Sequence, residues 1–180
     1  VPDDYKGYNI TSDDGNTFST QMLNGKVIIN VQLKPFSFTS FKKDEKIKMR
    51  SKNESGLILE NQFVRYEFSD NGTLKVAYDK ENKLNFLKNN GNVLSLYEDR
   101  PLNWDAWDID FYYKESLLET ASVKSINKVV KGNVCSSLEI SFIIGNSKID
   151  QKITLANDSK RLDFNTSVDW SEKHKMLRVH

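Results

Sequence analysis

The sequence predicts an all-β fold, an antiparallel β-sandwich preceded by part of a small β-domain. Three observations carry this reading. Apolar and polar residues alternate in short stretches, Gly, Asn and Asp punctuate them, and no segment keeps a helical period. In order along the chain, residues 26–33 are rich in β-branched side chains and 36–41 alternate aromatic with small polar ones, so each reads as a strand. Lys34-Pro35 divides them, since proline lacks the donor that a central ladder needs. Residues 42–56 are charged and nearly free of apolar side chains. They read as a solvated linker or a long hairpin edge, or else as a basic contact surface for another part of a larger protein. The expected organisation is therefore 1–41 as part of a small β-domain, 42–56 as linker, and 57–180 as the N-terminal part of a large β-sandwich domain.

Within that larger part, residues 63–68 and 73–78 face each other across Ser69-Asp70-Asn71-Gly72. Asn-Gly supplies the positive φ angles of tight hairpin turns. Residues 115–120 form at most a turn. Four strands then follow at 123–131, 134–144, 147–155 and 161–170, with short connections at Gly132-Asn133, Gly145-Asn146 and 156–160, which argues for a meander. Residues 171–175 read as a polar turn holding a solvated His174, and 176–180 begin a new strand. An open edge there is one that a complete domain would cover, so the sequence reads as a piece of a larger protein; pairing of such edges would make a homo-oligomer.

Composition excludes several classes of function. Apolar residues make up 38% and charged ones 28% of the chain, ordinary values for a globular protein, and the formal net charge is +1. That balance creates no field for nucleic acid or an anionic membrane surface. No apolar run approaches the ~20 residues needed to cross a bilayer. Val1-Pro2-Asp3-Asp4 resembles neither the basic nor the apolar part of a secretory signal. The single cysteine, Cys135, lies in an apolar strand and reads as a buried, inert thiol; without a disulfide framework the expected location is cytoplasmic. Asn-x-Ser/Thr triplets begin at Asn9, Asn53, Asn71, Asn157 and Asn165, and in so Asn-rich a chain they read as accidental. There is no phosphate-binding glycine loop and no nucleophile elbow, and two histidines, His174 and His180, are too few to build a zinc site. No metal or cofactor is expected in these residues.

Residues 97–113 depart from routine strand patterning. They hold Trp104 and Trp107 together with Glu98, Asp99, Asp105, Asp108 and Asp110, and Pro101 marks a loop that should turn into a strand near Ile109. Indole faces beside carboxylates suit sugar recognition: axial C–H groups stack on the ring, and Asp accepts from neighbouring hydroxyls. A carboxylate pair can also hydrolyse a glycoside when its members stand about 5–5.5 Å or 6.5–9.5 Å apart. From composition alone the same residues suit a structural use better, with Trp capping a core and Asp accepting backbone N–H groups in turns. Asp105, Asp108 and Asp110 lack the spacing of a calcium loop.

Three stretches resemble one family in the same order. Leu59-Glu60-Asn61-Gln62-Phe63-Val64-Arg65-Tyr66-Glu67-Phe68, with Asp70-Asn71-Gly72-Thr73-Leu74, is similar to the first hairpin in the C-terminal region of family 38 glycoside hydrolases. Glu98-Asp99-Arg100-Pro101 with Trp104-Asp105-Ala106-Trp107-Asp108 resembles the most distinctive signature of that region. Val168-Asp169-Trp170-Ser171-Glu172-Lys173-His174-Lys175-Met176-Leu177-Arg178-Val179 resembles a third, although family members often carry histidine where this chain has Ser171. The resemblance implies a galactose mutarotase-like supersandwich in a retaining α-mannosidase, whose zinc site and aspartate nucleophile belong to an N-terminal barrel. On that reading this chain is a non-catalytic fragment that packs on missing catalytic and helical domains. Trp104, Asp105, Trp107 and Asp108 form a loop reaching toward an α-mannoside. The competing readings are a free-standing carbohydrate-binding module, for which Trp104 and Trp107 would be an exposed platform, and an aldose mutarotase, for which the histidines are badly placed.

Overall fold

The computed structural model describes residues 1–47, 52–53, 56–104 and 107–180. The first part of the chain forms β1 (Tyr8–Ser12), β2 (Thr17–Phe18), β3 (Gln21–Leu23), β4 (Lys26–Ile28), β5 (Phe41–Lys46) and β6 (Lys52–Asn53). The middle forms β7 (Ile58–Glu60), β8 (Val64–Phe68), β9 (Leu74–Asp79), β10 (Leu84–Asn85), β11 (Leu94–Glu98) and β12 (Leu117–Thr120). The last part forms β13 (Ser122–Ile126), β14 (Val130–Lys131), β15 (Cys135–Ile144), β16 (Ser147–Ala156), β17 (Leu162–Asp169) and β18 (Lys175–Val179). Helix is confined to 3-10 turns at Asp3–Tyr5 and Phe111–Glu115 among the described residues. All pairings are antiparallel. β1 lies between β2 and β5, β3 pairs with β4, and β7 to β10 form a sequential sheet. β11 lies between β12 and β18. The largest sheet runs β17-β16-β15-β14-β6, with β13 also paired to β15.

The all-β expectation holds, and the sandwich is built by alternation. On β15, Leu138, Ile140, Phe142 and Ile144 point inward; on β16, Ile149, Ile153 and Leu155 do the same. They form one buried cluster with Leu59, Val64, Phe68, Leu74 and Ala77 of β7–β9 and with Leu94 and Leu96 of β11. Each such Leu or Ile contributes about 1.5–3 kcal/mol relative to exposure, which makes this interface the dominant stabilising element. The two-residue turn Gly145-Asn146 joins β15 to β16 in register from Ile144↔Ser147 to Cys135↔Ala156.

Several local expectations are corrected. The hairpin between β8 and β9 is present, but only Gly72 takes a positive φ, 77°; Ser69 donates to Thr73 and Gly72 to Ser69 across the longer turn. Residues 26–33 are strand only through Ile28, and 36–41 only at Phe41. Phe36 and Phe38 are fully exposed, so their alternation is not that of a half-buried strand. Residues 42–46, at the start of the stretch read as a linker or a hairpin edge, belong to the exposed strand β5, which runs along β1 from Ser12↔Phe41 to Tyr8↔Lys46. Residues 48–51 and 54–55 of that linker lie outside the described residues. Residues 117–120, expected to be at most a turn, form β12 against β11, and 123–131 divides into β13 and β14. No strand forms near Ile109; a 3-10 turn begins at Phe111 instead. The final strand, β18, pairs with β11 along all five residues, from Leu94↔Val179 to Glu98↔Lys175.

The buried side chain of Gln21 joins the first strands to the sandwich. Gln21 of β3 accepts from the backbone N–H of Val134 (2.7 Å) and of Cys135 (2.8 Å), and donates to the Cys135 carbonyl (3.1 Å). Gly132 gives it room, because a Cβ there would stand 2.2 Å from the Gln21 amide carbon. Cys135 is 2% exposed, and burial raises its thiol pKa, as expected for an inert cysteine.

Candidate functional site: the Trp104–Trp107 loop

β11 is buried along its first four residues, with Leu94 and Leu96 in the core and Tyr97 packed edge-on against Tyr113 at 5.4 Å. It is therefore a rigid base from which the chain leaves at Glu98 into a long loop. Two backbone bonds fix the departure: Glu98 donates to Ser116 (3.0 Å) and Asp99 to His174 (2.9 Å). The return is fixed by the 3-10 turn Phe111–Glu115, where Tyr113 sits under the Arg178 guanidinium at 5.0 Å and against Tyr97. His180 closes the cluster by bonding the Tyr97 hydroxyl at 3.1 Å.

At the tip, Trp104 adopts φ 59°, a left-handed conformation that is rare for a bulky residue. Its carbonyl accepts from both Trp107 (2.9 Å) and Asp108 (2.8 Å), closing a tight turn. The turn stacks the two indoles, with ring centroids 5.9 Å apart and planes 10° from parallel. Trp104 is 67% and Trp107 78% exposed, so neither caps the buried core of the described sandwich. Asp108 is exposed beside them, while Asp105 lies outside the described residues.

At the root of the loop a cavity of about 220 Å³ is lined by Glu98, Asp99, Arg100, Pro101, Asp110, Tyr112, Tyr113 and Ser116. A hydrogen bond with Asp110 is the main cause that raises the Tyr112 phenol pKa. Arg100 pairs with Glu98 at 2.9 Å with both side chains largely exposed, a contact worth little to stability. The loop thus offers an apolar face at its tip and hydrogen-bonding groups at its root, the two kinds of surface that a pyranose presents in return.

The sequence singles out Trp104, Asp105, Trp107 and Asp108; of these the structure places Trp104, Trp107 and Asp108 in one exposed loop, and Asp105 lies outside the described residues. Arg178 and His180, which brace the loop from below, were not read as part of it: they come from β18 and the residue that follows it, and no local spacing announces their meeting with Tyr97 of β11. Among the described residues no three His, Cys, Asp or Glu side chains gather to hold a metal ion.

Comparison with known proteins adds a lineage to this geometry. Residues 59–180 match the model of the glycosyl hydrolases family 38 C-terminal domain. The chain is 30% identical over 131 residues to alpha-mannosidase G of Dictyostelium discoideum, covering 68% of this chain and 12% of that protein. It is 31% identical over 127 residues to human alpha-mannosidase 2C1, covering 61% of this chain and 12% of that protein. It is 29% identical over 116 residues to an alpha-mannosidase of Saccharomyces cerevisiae, covering 59% of this chain and 10% of that protein. The chain therefore spans only about an eighth of the length of these relatives.

Proposed function

Since this chain belongs to glycosyl hydrolase family 38 through that family's C-terminal domain, we propose that it is the non-catalytic β-region of a longer, zinc-dependent, retaining exo-α-mannosidase. The observation that carries the reading is the match over 59–180 combined with an exposed Trp104–Trp107 stack inside the matched region. In this proposal residues 57–180 begin a galactose mutarotase-like supersandwich, and the strands before it belong to a small β-domain. The zinc and the nucleophile reside in a catalytic domain elsewhere in the longer protein. The donor set here does not suit zinc: both histidines are committed to the loop's underside or exposed, and the described residues gather no ligand cluster. No step is assigned to the metal in this chain.

What the chain contributes is position. The Trp104 and Trp107 faces stack on an α-mannoside bound at the mouth of the catalytic domain, while Asp108 and, at the root, Tyr112 exchange hydrogen bonds with its hydroxyls. The exposed apolar residues Leu102, Ile109 and Phe111 flank the indoles and pack on the catalytic and helical domains. The same exposure would also serve a free-standing carbohydrate-binding module; the family match favours the enzyme. The test is to make Trp104→Ala and Trp107→Ala in the longer enzyme. Loss of a stacking contact raises KM about 10-fold, equivalent to ~1.4 kcal/mol, with kcat little changed. Unchanged KM in both variants removes the loop from substrate binding.

A further inference from the structure

The outer face of the large sheet carries a second set of polar groups with relief and a wall. Register aligns Glu139 of β15 with Lys152 of β16, and Lys152 with Asn165 of β17. Asn127 extends the row by donating to Glu139 from both its backbone (2.9 Å) and its side chain (3.1 Å). This row of long side chains crosses the strands as a ridge. One step along, about 7 Å away, Ser141, Asp150 and Ser167 align as a lower row, with the Ser141 hydroxyl bonded to Asp150.

Two hollows flank the ridge. A cavity of about 320 Å³ lies over the Ser141–Asp150–Ser167 row. Another of about 440 Å³ lies on the far side, between the ridge and the β3–β4 hairpin. Asn24 at the hairpin tip and Lys152 line both, and they are hydrogen-bonded to each other. Lys152 is held a second time by Glu139 at 2.8 Å and is only 20% exposed. The hairpin wall cannot swing freely, because Gln21 anchors it to Val134 and Cys135. The trough is thus set before any ligand arrives, which lowers the ordering cost of binding.

The chemistry of the lining selects the ligand class. Amide and hydroxyl groups that both donate and accept predominate, and Glu139 and Asp150 balance Lys128 and Lys152. A phosphate meets two carboxylates there, and a metal cation meets two ammonium groups. A neutral chain of hydroxyls meets amide, hydroxyl and charged partners in both hollows, with Met22, Leu23 and Val130 as the apolar part of the larger one. No aromatic ring lines either hollow among the described residues, so affinity is low.

We propose that this trough is a second carbohydrate site, which holds a neutral α-mannose-containing oligosaccharide on the sheet opposite β11. The choice of mannose rests on the function proposed above; the site itself rests on its geometry. The experiment is a titration of the ¹⁵N-labelled 180-residue chain with α-linked mannotriose, followed by amide and indole resonances. The inference predicts concentration-dependent shifts at residues 139–141, 150–152 and 165–167. Ser141→Arg, which lays a guanidinium across the lower row, weakens that response about 10-fold or more without changing the Trp104 and Trp107 indole response. Asn165→Ala, at an exposed position, weakens it several-fold and serves should the arginine variant fail to fold. Shifts confined to the indoles overturn the trough and leave the loop standing. Shifts confined to the trough leave this inference standing and count against the loop. A spectrum that does not move overturns the trough.

Discussion

Replacing Gln21 by Ala is the perturbation with the most specific consequence for the fold. The side chain satisfies two buried N–H groups, of Val134 and Cys135, and one carbonyl. Alanine leaves both N–H groups without acceptors at a place that water enters poorly. Each orphaned group costs about 1–3 kcal/mol, so Gln21→Ala destabilises the packing of the first strands on the sandwich by about 2–6 kcal/mol. Gly132→Ala reaches the same end from the other side, since the new methyl would stand 2.2 Å from the Gln21 amide and must expel it. The two substitutions therefore cannot add. Once Gln21 is alanine, the methyl at position 132 meets nothing of that side chain, and the double variant costs little more than Gln21→Ala alone. A double-mutant cycle by urea denaturation measures this coupling, with amide exchange at Val134 and Cys135 as the local readout. Loss of less than about 0.5 kcal/mol in Gln21→Ala, or strict additivity in the double variant, refutes the role of Gln21 as the anchor.

Other predictions follow from the same structure. Asn61 accepts from Phe63 (2.9 Å) and Val64 (3.0 Å) and donates to the carbonyls of Ala156 (2.8 Å) and Ser159 (2.7 Å); Asn61→Ala should cost about 2–4 kcal/mol in urea denaturation. Gly72 combines φ 77° with a would-be Cβ 2.5 Å from Phe142, so Gly72→Ala should destabilise by about 2–4 kcal/mol and lower the melting temperature. Backbone N–H bonding at Asn82, then Lys160, holds the Asp79 carboxyl near 2 against an ordinary 3.8. Its folded-state pKa is depressed, so its contribution is complete above the ordinary value and is lost as pH falls toward 2. Melting temperature against pH should show that loss, and Asp79→Asn should flatten it. The exposed Trp107 predicts ready quenching by acrylamide and, for Trp107→Ala in this chain, a stability change within about 0.5 kcal/mol.

The sandwich core was legible because its strands obey a period of two with one buried face. β16 alternates through ten residues and β15 from Leu138 to Ile144, and the Asp70-Asn71-Gly72 turn marks the hairpin before them. β5 and β12 escaped because every residue but Phe41 is exposed on both faces; such strands are held by ladder bonds to β1 and β11, which leave no pattern in side chains. Phe36 and Phe38 misled for the opposite reason, alternating like a strand while pointing into solvent. The loop's residues stood out by composition, yet the stacking of Trp104 on Trp107 depends on a positive φ that nothing at a tryptophan announces. The trough was invisible from sequence because its row draws residues from separated strands, and only pairing register assembles them.

The central claim is that this chain positions a carbohydrate for chemistry performed elsewhere in a longer enzyme. Hydrolysis of an aryl α-mannoside with added zinc, by the 180-residue chain and by the longer protein side by side, tests it most directly. The account predicts turnover by the longer protein alone, abolished by a chelator and restored by zinc. Turnover by the 180-residue chain itself would contradict it, and would make the carboxylates around Trp104 and Trp107 the catalytic groups.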